Sequence, residues 1–130
     1  MNKTELEELI RVKYNTAAEH PFSSYPEVSV FRHSSNKKWF AVIMTVERSK
    51  LGMKESGICD ILNLKSSQEI IPSLLQEEEG IHPGYHMNKS HWISIRLDGS
   101  VDDDTIAWLL QISHRLTSKP SRKLDVDDRG

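Results

Sequence analysis

Residues 28–47 read "VSVFRHSSNKKWFAVIMTVE". A short apolar run, a Ser-Ser-Asn turn and a long run from about Trp39 to Val46, rich in β-branched and aromatic side chains, make this stretch a β-hairpin. The long run is almost continuously apolar, which implies a central strand. Strands joined by a short polar turn lie antiparallel, so the fold grows from a hairpin. An alternating β-α-β fold with a phosphate loop is disfavoured, because no Gly-rich turn joins a strand to a helix.

Upstream, "NKTELEELIRVKYNTAAEH" (residues 2–20) spaces Leu6, Leu9, Ile10 and Ala17 along one helical face, with Thr4 as a cap and Pro21 as a stop. Downstream, the polar and basic "RSKLGMKESG" (48–57) reads as a loop or long hairpin tip ahead of the strand "ICDILNLK" (58–65). On that strand Ile58, Leu62 and Leu64 share one face, and Cys59, Asn63 and Lys65 the other. Ser66 and Glu69 fit a capping box for a second helix, "IIPSLLQEEE" (70–79), with Pro72 in its first turn and Gly80 at its end. The strand "HWISIRL" (91–97) sets Trp92, Ser94 and Arg96 opposite His91, Ile93, Ile95 and Leu97. After a "DGS" turn, a third helix over 101–116 crowds acids at its N-terminal end and carries Ile106, Leu109, Leu110 and Leu116 as its inward stripe. The order α-β-β-β-α-β-α predicts an α+β fold, an antiparallel β-sheet packed against helices. Residues 1–117 are expected to form one domain, and 118–130, poor in apolar residues, a disordered C-terminal tail.

With 37% hydrophobic and 28% charged residues, the composition suits a soluble globular protein and excludes disordered, collagenous and disulfide-rich classes. No apolar run is long enough to cross a bilayer and the N-terminus is unlike a signal peptide, so a cytoplasmic location without membrane contact is expected. The lone Cys59 has no disulfide or zinc partner and reads as a small apolar strand residue. A net charge of -2 argues against coating nucleic acid over the whole surface. The distribution is uneven, however. Residues 32–65 carry seven bases against three acids, whereas 66–81 and 98–104 each hold four acids and no base.

The densest cluster of chemistry-bearing side chains is "HPGYHMNKSHW", His82 to Trp92, with three histidines and no acid. His82 and His86 have the i, i+4 spacing of two ligands on one helical face, but Pro83-Gly84 between them suits a type II turn, which breaks that helix. His91 could converge as a third ligand from the neighbouring strand. For catalysis, a histidine base needs a nucleophile and an orienting acid, and the sequence has neither a G-x-S-x-G elbow nor a paired-carboxylate pattern. Two readings of the stretch stay open. One is a recognition loop in which Tyr85 and Trp92 offer flat faces, Asn88 donates and accepts, and Lys89 supplies charge. The other is hairpin architecture, with polar residues around a turn and a packed tryptophan.

"PGYHMNK", followed by "HW" and "LDGS", resembles the hallmark of the MmcQ/YjbR family. Pro21-Phe22, Val30-Phe31, "KWFA" (38–41) and "NLK" (63–65) add to the likeness, which covers roughly residues 3–117. The resemblance implies a CyaY-like α+β fold, also described as a double wing, and a sheet face with wing-like hairpins able to meet DNA. It implies no catalytic residue and no cofactor. The sequence departs from the pattern at "SSYPE" and "RHSSNKK", which lack glycines frequent there, and at Ser90, where a second lysine is common.

The resulting expectation is a small non-enzymatic binding domain, monomeric, that takes DNA or another nucleic acid. Arg32, Lys37, Lys38, Arg48, Lys50 and Lys54 would supply charge, and Tyr85, Asn88, Lys89, Trp92 and Arg96 stacking and hydrogen bonds. No metal or other cofactor is expected. The alternatives are a metal-binding or metal-handling protein, which needs His82, His86 and His91 or a group of acids to converge, and a protein-protein interaction module using an apolar sheet surface.

Overall fold

A computed structural model describes residues 1–118. Its elements are α1 (Lys3–Tyr14), β1 (Ser29–Arg32), β2 (Trp39–Glu47), a 3-10 turn (Arg48–Leu51), β3 (Ile58–Lys65), α2 (Ile71–Glu77), β4 (Ile81–Pro83), β5 (Trp92–Arg96) and α3 (Asp103–Ser118). The five strands form one sheet in the order β1-β2-β3-β5-β4, antiparallel at every pairing. This is the expected α+β arrangement, with one short strand added between α2 and β5. At three residues, one of them proline, β4 is too brief to show a periodicity and occupies the sheet edge, where a missing N–H is tolerated. Of the expected tail 118–130, Ser118 belongs to α3 and the rest lies outside the described residues.

Strand register sorts the side chains. Ser29, Ile43, Leu62, Ile95 and Ile81 are cross-strand neighbours, and Ile43, Leu62, Ile95 and Ile81 pack into one core with Leu6 and Ile10 of α1, Ile71 of α2, and Ile106, Leu109 and Leu110 of α3. The next row, Val30, Val42, Asn63, Ser94 and His82, faces away from the helices. Interior strands are nonetheless buried on both sides: Val42 is 1% exposed and Asn63 not at all.

A β-bulge fixes where α3 docks. Phe31 pairs with Ala41 and Arg32 with Trp39, leaving Phe40 unmatched. Phe40 turns into the core against Tyr14, His33 and His114 at centroid distances of 5.8, 5.0 and 4.8 Å. Beyond the last β2–β3 pair, Val42 with Asn63, the Ser113 hydroxyl of α3 donates to Phe40 O at 2.6 Å and accepts from Lys65 N at 2.9 Å. One helix side chain thus satisfies two strand groups that the ladder leaves behind.

Several local expectations are corrected. The cap of α1 is Asn2, whose side chain accepts from Glu5 N while Glu5 accepts from Asn2 N, not Thr4. The helix ends at Tyr14 because Asn15 adopts a left-handed backbone (φ 52°), well before Pro21, and Ala17 lies outside it. Ser66 and Glu69 form no capping box: α2 begins after Ile70 with no side-chain cap, and Ser66 Oγ is buried without a partner. That helix also stops at Glu77, short of Gly80. On α3, Leu116 is 39% exposed, and Ser113 and Thr117 complete the buried stripe instead. Ile58 sits at the rim of the sheet and is 67% exposed. Pro83-Gly84 is not the turn centre: Gly84 N donates to Trp92 O, and the chain reverses at Tyr85-His86, with His86 left-handed at φ 59°.

Candidate functional site

Among the described residues, the sheet face turned away from the helices is bordered by residues 20–28 before β1 and 84–91 between β4 and β5. Between these margins lies a groove of about 670 Å³. Val28, Val42 and Met44 line it as the floor, Phe22, Tyr25 and Trp39 stand at one wall, and Tyr85, His86 and Met87 at the other. Phe22 meets Trp39 edge-on at 6.1 Å, while Tyr25 is 61% exposed. Glu27, Glu47 and Lys50 are its charged lining residues.

Buried hydrogen bonds hold the 84–91 segment in place. Ser94 Oγ donates to Asn63 Oδ1 and accepts from Tyr85 N at 2.8 Å, tying the segment to the polar row across β3 and β5. A Cβ on Gly84 would approach Trp92 Cβ to 2.8 Å, so the close crossing there needs glycine. Asn88 Oδ1 accepts from Ser90 N at 2.9 Å, and Lys89 Nζ donates to Gly84 O at 3.0 Å. The segment therefore shows Tyr85 and His86 to the groove by design of its backbone; their rings lie 4.1 Å apart.

At this end a second cavity, about 330 Å³, adjoins the groove and shares Lys50, Tyr85 and His86 with it. Its other lining residues are Leu51, His82, Pro83 and Lys89, with no acid among them. His82 Nε2 lies 3.5 Å from Arg96 Nη1. Since guanidinium only donates, Nε2 accepts and the imidazole is neutral; burial first, then the Arg96 charge, hold its pKa below the usual 6.5. Arg96 in turn is 6% exposed and bonded to Asp98 at 3.1 Å, with Arg48 on the same carboxylate at 3.5 Å. Burial pushes the Asp98 carboxyl up, but hydrogen bonds from Ser100 and the charges of Arg96 and Arg48 bring it below its ordinary value.

The residues expected to bind nucleic acid therefore fall into separate groups. Lys50, Tyr85 and Lys89 come together at the basic cavity. Trp92 and Lys65 are cross-strand neighbours beneath the Gly84 crossing, outside both cavities. Arg48 and Arg96 are spent on Asp98, Asn88 shapes a turn, and Lys54 is exposed beyond the 3-10 turn. Arg32 and Lys37 line a different, polar cavity of about 480 Å³ between the end of α1 and the β1–β2 turn; Lys38 lies in that turn. Arg32 there forms an ion pair with Glu19 at 2.7 Å. Among the described residues no three His, Cys, Asp or Glu side chains gather as a metal site requires, which counts against the metal alternative. Phe22, Tyr25, Trp39, Met44 and Met87 were absent from the expected set. "PFSSYP" (21–26), two aromatics between prolines, is the signal that points to the first two.

A small α+β domain with one sheet face clad in helices and the other carrying an aromatic-walled groove is the class that fold and site define. Within it, the chain belongs to the YjbR family, whose profile matches residues 11–116. It is 44% identical to YyaQ of Bacillus subtilis over 108 residues, 83% of this chain and 91% of that one. Identity to YjbR of Escherichia coli is 34% over 98 residues, 72% of this chain and 83% of the relative. The fold matches a crystal structure from Pseudomonas syringae with a TM-score of 0.87 at 38% identity, covering 90% of this chain and 99% of the other. A Deinococcus radiodurans protein matches with a TM-score of 0.70 at 26% identity, over 91% and 79% of the two chains. Among the described residues no helix is long and apolar enough to cross a membrane.

Proposed function

We propose that the domain is a non-catalytic binding module, acting as a monomer in the cytoplasm, that takes a short single-stranded segment of nucleic acid, DNA included, into the groove on its open sheet face. The observation that carries this reading is the groove itself: aromatic side chains on both walls, an apolar floor and a cation-rich end. Unpaired bases stack on such rings, each worth about 1–3 kcal/mol. A duplex hides its bases and must be held by phosphates over a broad basic face, whereas here Arg32, Arg48 and Arg96 are already paired with acids. Glu27 and Glu47 on the groove lining disfavour phosphates along its length, so contact is confined to a few nucleotides.

Trp39 reports from within the groove. Titrating the protein with short single strands should give a saturable fluorescence change, a weaker one with duplex, and a salt slope of about -1.4 for about two phosphates engaged. Tyr85→Ala should weaken binding by about 1–3 kcal/mol, one stacked base. An unchanged affinity in Tyr85→Ala, or no saturable signal at low salt, would sink the reading.

A further inference from the structure

We infer that the basic cavity beside the groove is a seat for the terminal phosphomonoester of a nucleotide whose base occupies the groove. The inference rests on the groove reading above and adds a ligand group and its orientation. Lys50 lines the cavity from the 3-10 turn and Lys89 from the β4–β5 connection, so two lysines of separate elements border it. Lys89 is not free to swing away, because Gly84 O holds its amine at 3.0 Å. His82 and His86 add two imidazoles, and Tyr85 a phenol, and among the described residues no carboxylate joins the lining. Behind His82, the buried Arg96 approaches its Nε2 at 3.5 Å.

Charge complementarity selects a monoester. An internucleotide phosphate carries one negative charge and has a chain continuing on both sides, whereas a terminal one carries about 1.5 to 2 at neutral pH and has a chain on one side only. Two lysines match the dianion. The acids lie elsewhere on the groove, Glu27 and Glu47, so a strand running on over them would be repelled at its next phosphates. Lys50, Tyr85 and His86 are common to groove and cavity, which makes the two one continuous site: phosphate at the lysines, base against the aromatic walls.

The test compares one oligonucleotide in three forms, with a 5′-phosphate, a 3′-phosphate and neither, and a nucleoside 5′-monophosphate against its nucleoside. Affinity is read from intrinsic tryptophan fluorescence on the full chain, in which Trp39 lies on the groove lining and Trp92 and Trp108 do not, and is checked by calorimetry. A phosphorylated form should bind at least about tenfold more tightly than its unphosphorylated counterpart, the scale of one charge-assisted contact. Lys50→Gln should shrink that ratio; Lys50 is exposed, so the variant is expected to fold normally, checked by thermal melting. A gain in the strand alone assigns the seat to strand ends, and a gain in the mononucleotide assigns it to free nucleotides as well. Equal affinities with and without phosphate overturn the seat while leaving the groove reading intact. Absence of binding by every oligonucleotide and nucleotide overturns both.

Discussion

The molecule has two pairs of histidines close in space, and they teach opposite lessons. His33 and His114 meet at a tilt of 53° with centroids 4.4 Å apart, between the bulge of β2 and α3 and against Phe40 and Tyr14. Thr117 Oγ spends its one proton on a carbonyl of α3, Ser113 O at 2.8 Å, so His33 Nε2, 2.8 Å away, must be the donor to it. This pair is architecture, locked by hydrogen bonding and aromatic packing. The neighbouring polar cavity does not make it a site: the C-terminal ends of α1 and α3 converge there, and their dipoles disfavour an anion, while Arg32 is neutralised by Glu19. His82 and His86 line the other cavity, beside two lysines. Both pairs border a cavity, so what separates them is their company: aromatic rings and the Thr117 hydroxyl for one, two lysines for the other.

The contrast breaks most visibly in stability. Phe40→Ala removes the ring around which the closed pair packs and should cost about 3–5 kcal/mol in urea unfolding, as large-to-small changes at buried aromatics do; a loss below about 1 kcal/mol would contradict the bulge's role in the core. Ser113→Ala leaves Phe40 O and Lys65 N without their bridging hydroxyl, and buried groups left unpaired cost about 1–3 kcal/mol. On the open side, Tyr85→Ala should change stability by no more than about 0.5 kcal/mol, typical of surface positions. It is the backbone N of Tyr85, not its ring, that Ser94 holds. A large loss there would mean that the groove wall is structural.

The hairpin 28–47 is legible because its two runs have strand composition on either side of a polar turn, and the long run gave β2 with its boundaries nearly right. Helix faces were read from spacing, which cannot weigh one inward candidate against another: Leu116 lost its place to Ser113 and Thr117 because α3 needs a hydroxyl where β2 and β3 part. Cationic residues were visible but their partners were not. Arg48 and Arg96 meet at Asp98 across 50 and 2 positions of sequence, a convergence set by the sheet register. The aromatic walls are likewise assembled from three distant segments: Tyr85 stands out in its own loop and "PFSSYP" marks Phe22, but nothing in the sequence puts either opposite the other or beside Trp39.

The smallest effect is the pH dependence that the shifted histidines confer. Burial pushes the imidazoles of His33 and His114 below the ordinary 6.5; a backbone hydrogen bond to His114 opposes this for His33, while Lys38 adds to it, and each ring's neighbourhood includes the other. A folded-state pKa below the unfolded one means that the unfolded chain takes up protons first as pH falls. The histidine contribution to stability should therefore be flat above about pH 6.5 and decline on acidification below it, through the window between the unfolded value and the depressed folded ones. His82 is shifted the same way and contributes to the same decline. His114→Phe keeps an aromatic ring against Phe40 and Tyr14 but removes one titrating group, so its melting temperature should fall less between pH 7.5 and 5.5 than that of the unaltered protein. A variant with an identical pH profile would mean that His114 does not contribute in that window and that the decline belongs to the other shifted histidines, His33 and His82.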